Sequence, residues 1–175
     1  MRQIIQSIHA EYVRYKKLGE DAMAQLEEES LAAPGPNGGN SIATICWHMS
    51  GNLTSRFTDF LESDGEKPWR RREEEFFARR VSRTDLLAKW AQGWEVLFAT
   101  LDGLTDADLG RTVTIRQQPL RVDEALHRSL AHTSYHVGQI VYLAKAMRGA
   151  DWQYLSIPPG QSDAYNAAPD RERAK

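Results

Sequence analysis

The 175-residue sequence has a single cysteine, Cys46, so an intrachain disulfide is excluded. A lone thiol suits a reducing compartment, and the expected location is the cytoplasm. No apolar run reaches the ~20 residues needed to cross a bilayer as a helix. The stretch from Met1 to Tyr12 lacks the continuous apolar segment of a secretory signal, and no leader is expected. Charge of one sign is also missing: 22 basic residues face 24 acidic ones, for a net charge of -2. That balance gives no general attraction to nucleic acid or to an anionic membrane, and neither is expected as a partner. No Ser-His-Asp order, phosphate-binding glycine loop or dinucleotide fingerprint occurs.

What is present reads as one soluble domain, with 41% hydrophobic and 26% charged residues. Its expected span is 1–168, with a disordered tail at 169–175. The first helix is expected from about Arg2 to Leu31, with Ile4, Ile8, Tyr15, Leu18, Ala22 and Leu26 as its apolar stripe. A second helix should start after Asn40 or Ser41, both good caps, and bury Ile42, Ile45, Met49, Leu53, Phe57, Phe60 and Leu61. His48 borders that face. Gly51 is a poor helix former, so its place mid-helix predicts a close approach to the backbone.

Residues 63–80 form a charged connector. Trp69, Phe76 and Phe77 give it something to bury, which predicts an ordered lid or crossover. Arg70, Arg71 and Arg72 precede Glu73, Glu74 and Glu75, a pattern read as a solvated, self-paired face and not as a nucleic-acid patch. A third helix should run from Ser82 or Thr84 to about Leu101, with Leu86, Trp90, Trp94 and Leu97 as core. A small hairpin, Val113–Arg116 with Leu120–Val122, should follow. Asp123 is the expected cap of a fourth helix, which carries Leu126, Leu130, Val137, Ile140, Val141, Ala144 and Met147 and stops at Gly149. After it, Trp152, Tyr154, Leu155 and Ile157 should wrap on the helices as irregular structure. The expected fold is all-α, a four-helix bundle with a long connector between helices two and three and a small β-hairpin before helix four.

Helical phase sorts the histidines of the last helix. At about 100° per residue, His132 and His136 lie roughly 40° apart and Gln139 roughly 20° from His132, whereas His127 faces away by about 140° or more. Two imidazoles at i and i+4 on one face can share a metal ion. Gly138 beside His136 is a second small residue that would permit close approach. His9 and His127 read as surface or packing histidines. Cys46 reads as a small buried hydrophobe, and Trp90 and Trp94 as core.

Three elements carry a resemblance: His48-Met-Ser-Gly-Asn-Leu53; Asp64-Gly-Glu-Lys-Pro-Trp-Arg70; and Leu130 to Val141, with its H-x-x-x-H-x-G-Q core. Together with Ser156-Ile-Pro-Pro-Gly-Gln-Ser162 they make the chain resemble the DinB-like superfamily over nearly its whole length, in the branch with G-E-K-P-W and S-I-P-x-G-Q-S elements. The resemblance implies a four-helix bundle whose single divalent metal is held by one histidine of the second helix and two of the fourth. Carried over, those are His48, His132 and His136. It also implies a homodimer. Relatives include thiol-dependent transferases or isomerases and proposed hydrolases, so a metal-dependent transferase or hydrolase of unknown substrate is expected, with a non-catalytic metal-binding or interaction protein as the alternative. Zinc or nickel are the expected metals, with iron or copper also compatible. Any reactive thiol would come from a small-molecule cosubstrate. Asn52, Tyr135 and Gln139 are the candidates for supporting or substrate contacts. An arginine-lined pocket, drawing on Arg70–Arg72, would point to an anionic substrate.

Overall fold

The computed structural model describes residues 3–169. Arg2 and residues 170–175 of the expected tail therefore lie outside the described residues. Within them the chain is mostly helical: α1 (Gln3–Ala24), α2 (Glu28–Ala32), α3 (Ile42–Phe57), α4 (Arg83–Gly103), α5 (Val122–Arg148) and α6 (Ser162–Ala167), with β1 (Thr112–Ile115) and β2 (Gln118–Arg121) before α5. No helix among the described residues is long and apolar enough to cross a membrane. The four long helices pack on one another. α3 lies most extensively against α4, α1 against α5, and α3 also meets α5.

The first expected helix is two. α1 ends at Ala24, and the Arg83 guanidinium takes the carbonyls of Met23, at 3.1 Å, and of Leu26. With those carbonyls satisfied from outside, the chain turns and α2 buries Leu31 separately. The buried stripe of α1 is Ile5, Ile8, Tyr12, Ala22 and Met23, and Ile4 is 52% exposed. Asp106 accepts the backbone N–H groups of Ile4 and Ile5 at 3.2 and 3.1 Å, anchoring this first turn.

Ser41 caps α3 by accepting the Thr44 N–H at 3.1 Å. The helix stops at Phe57, short of the expected Leu61. Asp59 adopts a positive φ of 47°, and Phe60 is buried from the turn, its ring 5.2 Å from that of Phe57. Ser82 caps α4 in the same way, and Leu86, Trp90, Trp94, Leu97 and Leu101 are all buried.

The hairpin pairs Thr112 with Arg121 through to Ile115 with Gln118. Arg116 and Gln117 both have positive φ, 53° and 62°, the signature of a two-residue type I′ turn. Asp64 accepts their N–H groups at 2.8 and 2.6 Å, so the connector braces the turn. β2 runs directly into α5, which starts two residues earlier than expected, so Val122 is helical. Arg121, not Asp123, is the cap residue, with its N–H donated to Glu124 at 2.7 Å.

The connector is ordered, with a 3-10 turn at Arg72–Phe76 packed on α3. Two of its three aromatics are not anchors, since Trp69 is 54% and Phe77 61% exposed, while Phe76 is half-buried against His48. Polar groups do most of the holding. Lys67 is buried and donates to Ser63 and to the Asp64 carbonyl, both at 2.6 Å, and Ser55 of α3 donates to the Gly65 carbonyl at 2.8 Å. Beyond α5, Trp152 is buried, Tyr154 and Ile157 stay exposed, and the short α6 appears where irregular structure was expected.

Candidate metal centre

His48 sits in the middle of α3, one turn beyond the buried Ile45, and is itself buried. His132 and His136 project from adjacent turns of α5. The packing of α3 on α5 brings the three rings together. His48 Nε2 lies 3.3 Å from His132 Nε2, and His136 Nε2 lies 3.2 Å from the same atom. One ligand atom from each residue falls within 4.8 Å of the others.

The far nitrogens explain why these edges face inward. His48 Nδ1 is 2.9 Å from Glu75 Oε2, and His136 Nδ1 is 2.8 Å from Gln139 Oε1. A carboxylate and an amide oxygen only accept hydrogen bonds, so both Nδ1 atoms carry the proton and both Nε2 atoms present lone pairs. Two such lone pairs aimed at a third imidazole nitrogen cannot both be met by one proton. A cation meets all three. Nitrogens bound at about 2.0–2.1 Å around a tetrahedral ion stand roughly 3.3–3.4 Å apart, close to the two separations found. The donor set therefore fits a divalent metal.

Electrostatics keep the rings ready. Burial, then the neighbouring His136 and His48 and the cations Arg70 and Arg56, push His132 down to about 3. Burial also lowers His136, to about 4, against the opposing hydrogen bond to Gln139. Both are neutral near pH 7, the form that ligates metal. Glu75 behaves oppositely. Its burial would raise the carboxyl, but hydrogen bonds with His48 and Arg70 outweigh that and hold it below the usual range.

The charges from Arg70 to Glu75 are self-paired as expected, but Arg70 and Glu75 correct the reading of that whole face as solvated. Arg70 donates from Nε and Nη2 to the two Glu75 oxygens at 2.8 and 2.9 Å, and its side chain is only 2% exposed. Arg71, Arg72, Glu73 and Glu74 do stay at the surface. The signal for Glu75 was Gly51. A Cβ at that position would collide with the Glu75 carboxylate, so the close approach expected there is made by this side chain. Gly138 has no such role, since nothing lies within 4 Å of its would-be Cβ. Phe76, expected only as a buried aromatic of the connector, lays its ring 4.8 Å from that of His48.

Of the supporting candidates, Gln139 holds His136, and Asn52 lines a cavity shared with His48 and His132. Tyr135 sets its ring 4.8 Å from His136 on the outer side and is exposed. His9 packs beside Phe98, and His127 is exposed. Cys46 is fully buried against Met23, and burial pushes its thiol upward, away from a nucleophile's range.

Inward-facing imidazoles from two packed helices, with their outer nitrogens tied down, define a helical protein with a candidate three-histidine metal centre. The chain belongs to the family described as a protein of unknown function (DUF1572), which matches residues 1–161. Comparison with curated proteins finds no match.

Proposed function

We propose that the chain is a metal-dependent enzyme that holds one divalent ion on His48, His132 and His136, of the thiol-dependent transferase or hydrolase type, in a DinB-like four-helix bundle of α1, α3, α4 and α5. The convergence of three Nε2 atoms with two outer nitrogens tethered carries this reading. Zinc or nickel suits such a set, and iron or copper also accepts imidazole. When bound, the ion supplies Lewis acidity and makes a water or thiol more acidic at neutral pH. The residues around it orient the ligands: Glu75 and Gln139 fix the tautomers, and Arg70 fixes Glu75. Cys46 is buried, so a thiol reaction would draw its thiol from a small-molecule cosubstrate. The domain is taken as residues 1–168, and the protein as a homodimer, whose mass sedimentation would test.

The rival reading, a non-catalytic metal staple or interaction module, needs a fourth protein ligand or no metal at all. Gln139 and Glu75 spend their oxygens on His136 and His48, which favours a site left open for substrate. Elemental analysis of protein purified without a histidine tag tests the proposal. About one equivalent of a divalent metal is expected, lost in His48→Ala and His136→Ala. Trace metal, unchanged by either substitution, would remove it.

A further inference from the structure

Building on the metal site proposed above, we infer that the cavity beside it takes a small organic oxyanion, a carboxylate or phosphate ester, gripped by Arg128 and Arg116. The cavity holds about 190 Å³ and opens onto His48 and His132. Five arginines line it, Arg56, Arg70, Arg72, Arg116 and Arg128, and no acidic side chain does. Pockets for drug-sized ligands run to about 300–1,000 Å³, so the occupant here is smaller, a compound of a few carbons.

The arginines divide by what already engages them. Arg56 donates to the Gly65 carbonyl and, at 3.0 Å, to Glu66, and Arg70 is clasped by Glu75. Their side chains are nearly buried, and they form fixed walls. Arg72 pairs with Glu73 at 2.9 Å and lies over the Phe76 ring. Arg116 engages Glu66 through Nε at 3.0 Å. The Arg128 guanidinium makes no hydrogen bond or ion pair among the described residues. Three carboxylates, Glu66, Glu73 and Glu75, thus answer five guanidiniums, and the excess positive charge faces the cavity.

Placement makes the excess useful. Arg128 precedes His132 by four residues on α5, so the two share a face about 6 Å apart along the axis. An anion held by Arg128 would present its far end to the histidines. Arg116 reaches the same cavity from the tip of the hairpin, where Asp64 holds the turn in its positive-φ conformation. Phe57, Phe60 and Ile115 give the ligand's carbon body an apolar wall. Planar guanidiniums match carboxylate and phosphate oxygens two at a time, which a neutral ligand cannot exploit.

Calorimetry on metal-stripped protein, with succinate, inorganic phosphate and neutral succinamide as probes, tests this without the anion ligating an ion. Saturable binding of succinate or phosphate, and none of succinamide, is expected. The stronger of the two anions identifies the source of the oxyanion. Arg128→Gln and Arg116→Gln should each weaken binding about tenfold or more. Both positions are exposed, and thermal melts and metal content matching wild type would show that the fold and the metal site survive. Absence of saturable anion binding in the millimolar range, or affinity unchanged in the Arg128→Gln/Arg116→Gln double variant, would overturn the inference. Anion binding in a protein that never acquires metal would instead sink the metal proposal and leave this one standing.

Discussion

Glu75 does for His48 what Gln139 does for His136: it holds Nδ1 so that Nε2 faces the other rings. Groups that orient ligands in this way typically change metal affinity by about 10–100-fold when removed. Glu75→Ala should show a loss of that size in a competition titration against a chelator. Glu75→Gln should lose less, since its amide oxygen can still accept from Nδ1. Equal affinity in wild type and Glu75→Ala would mean that Glu75 merely fills space. The rings themselves set a pH dependence. His132 and His136 have folded pKa values of about 3 and about 4, against 6.5 for the free group. Between those limits the unfolded chain binds protons that the folded chain does not. The associated stability is fully present above about pH 6.5 and is lost as pH falls towards 4. Urea unfolding of metal-free protein should therefore show a smaller pH 7-to-5 loss in His132→Gln than in wild type. Identical losses would contradict the assigned direction. Residues differ in how plainly they announced themselves. His132 and His136 stand four apart on one strip, which marks them as a candidate pair, whereas His48 as their third member came from the resemblance. Glu75 sits in a run of three glutamates, where nothing local separates the buried member from its solvated neighbours.

At the scale of elements, two glycines on the two metal-bearing helices make a controlled pair. Both interrupt α-helix, where alanine is favoured by about 1 kcal/mol. At Gly138 on α5 a methyl meets nothing within 4 Å, so Gly138→Ala should stabilise the protein by about 0.5–1 kcal/mol. At Gly51 on α3 the same methyl collides with the Glu75 carboxylate, itself pinned by Arg70 and His48. Gly51→Ala should lower both stability and metal affinity despite its better helix propensity. Thermal melts and chelator titrations on the two variants check the opposite signs, and a stabilised, metal-replete Gly51→Ala would show that the connector yields freely. The long helices were legible because apolar residues recur along them and Ser41 and Ser82 are good caps. Their ends were less so. The break after Ala24 depends on Arg83, nearly sixty residues away in sequence, and the end of α3 on a left-handed Asp59, and neither leaves a local mark. The connector misled for a related reason. Trp69 and Phe77 look like anchors, yet they are exposed, and Lys67, Gly65, Arg70 and Glu75 hold it through hydrogen bonds that periodicity cannot register.

Across the whole molecule the helices divide into two closely packed pairs, α3 with α4 and α1 with α5, and the histidine cluster lies where the pairs meet. His48 belongs to one pair, His132 and His136 to the other. An ion there would join the pairs across their leaner contact, while the hairpin and connector close over the same end and bring Arg116 and Arg70 to its flank. Such an ion acts as a ligand of the folded state alone. At a free concentration of a hundred times its dissociation constant it adds about 2.7 kcal/mol. For a chain of this size about 1 kcal/mol moves the melting temperature by about 2–4 °C, so chelation should lower it by about 5–10 °C. His48→Ala, already without the bridge, should melt near the chelated wild type and show almost no further shift with chelator. Hydrogen exchange should locate the effect, with faster exchange after metal removal in the middle of α3 and in the 130–140 region of α5, and little change where α4 packs on α3. A uniform increase over all four long helices would place the ion's contribution in global stability rather than at the seam.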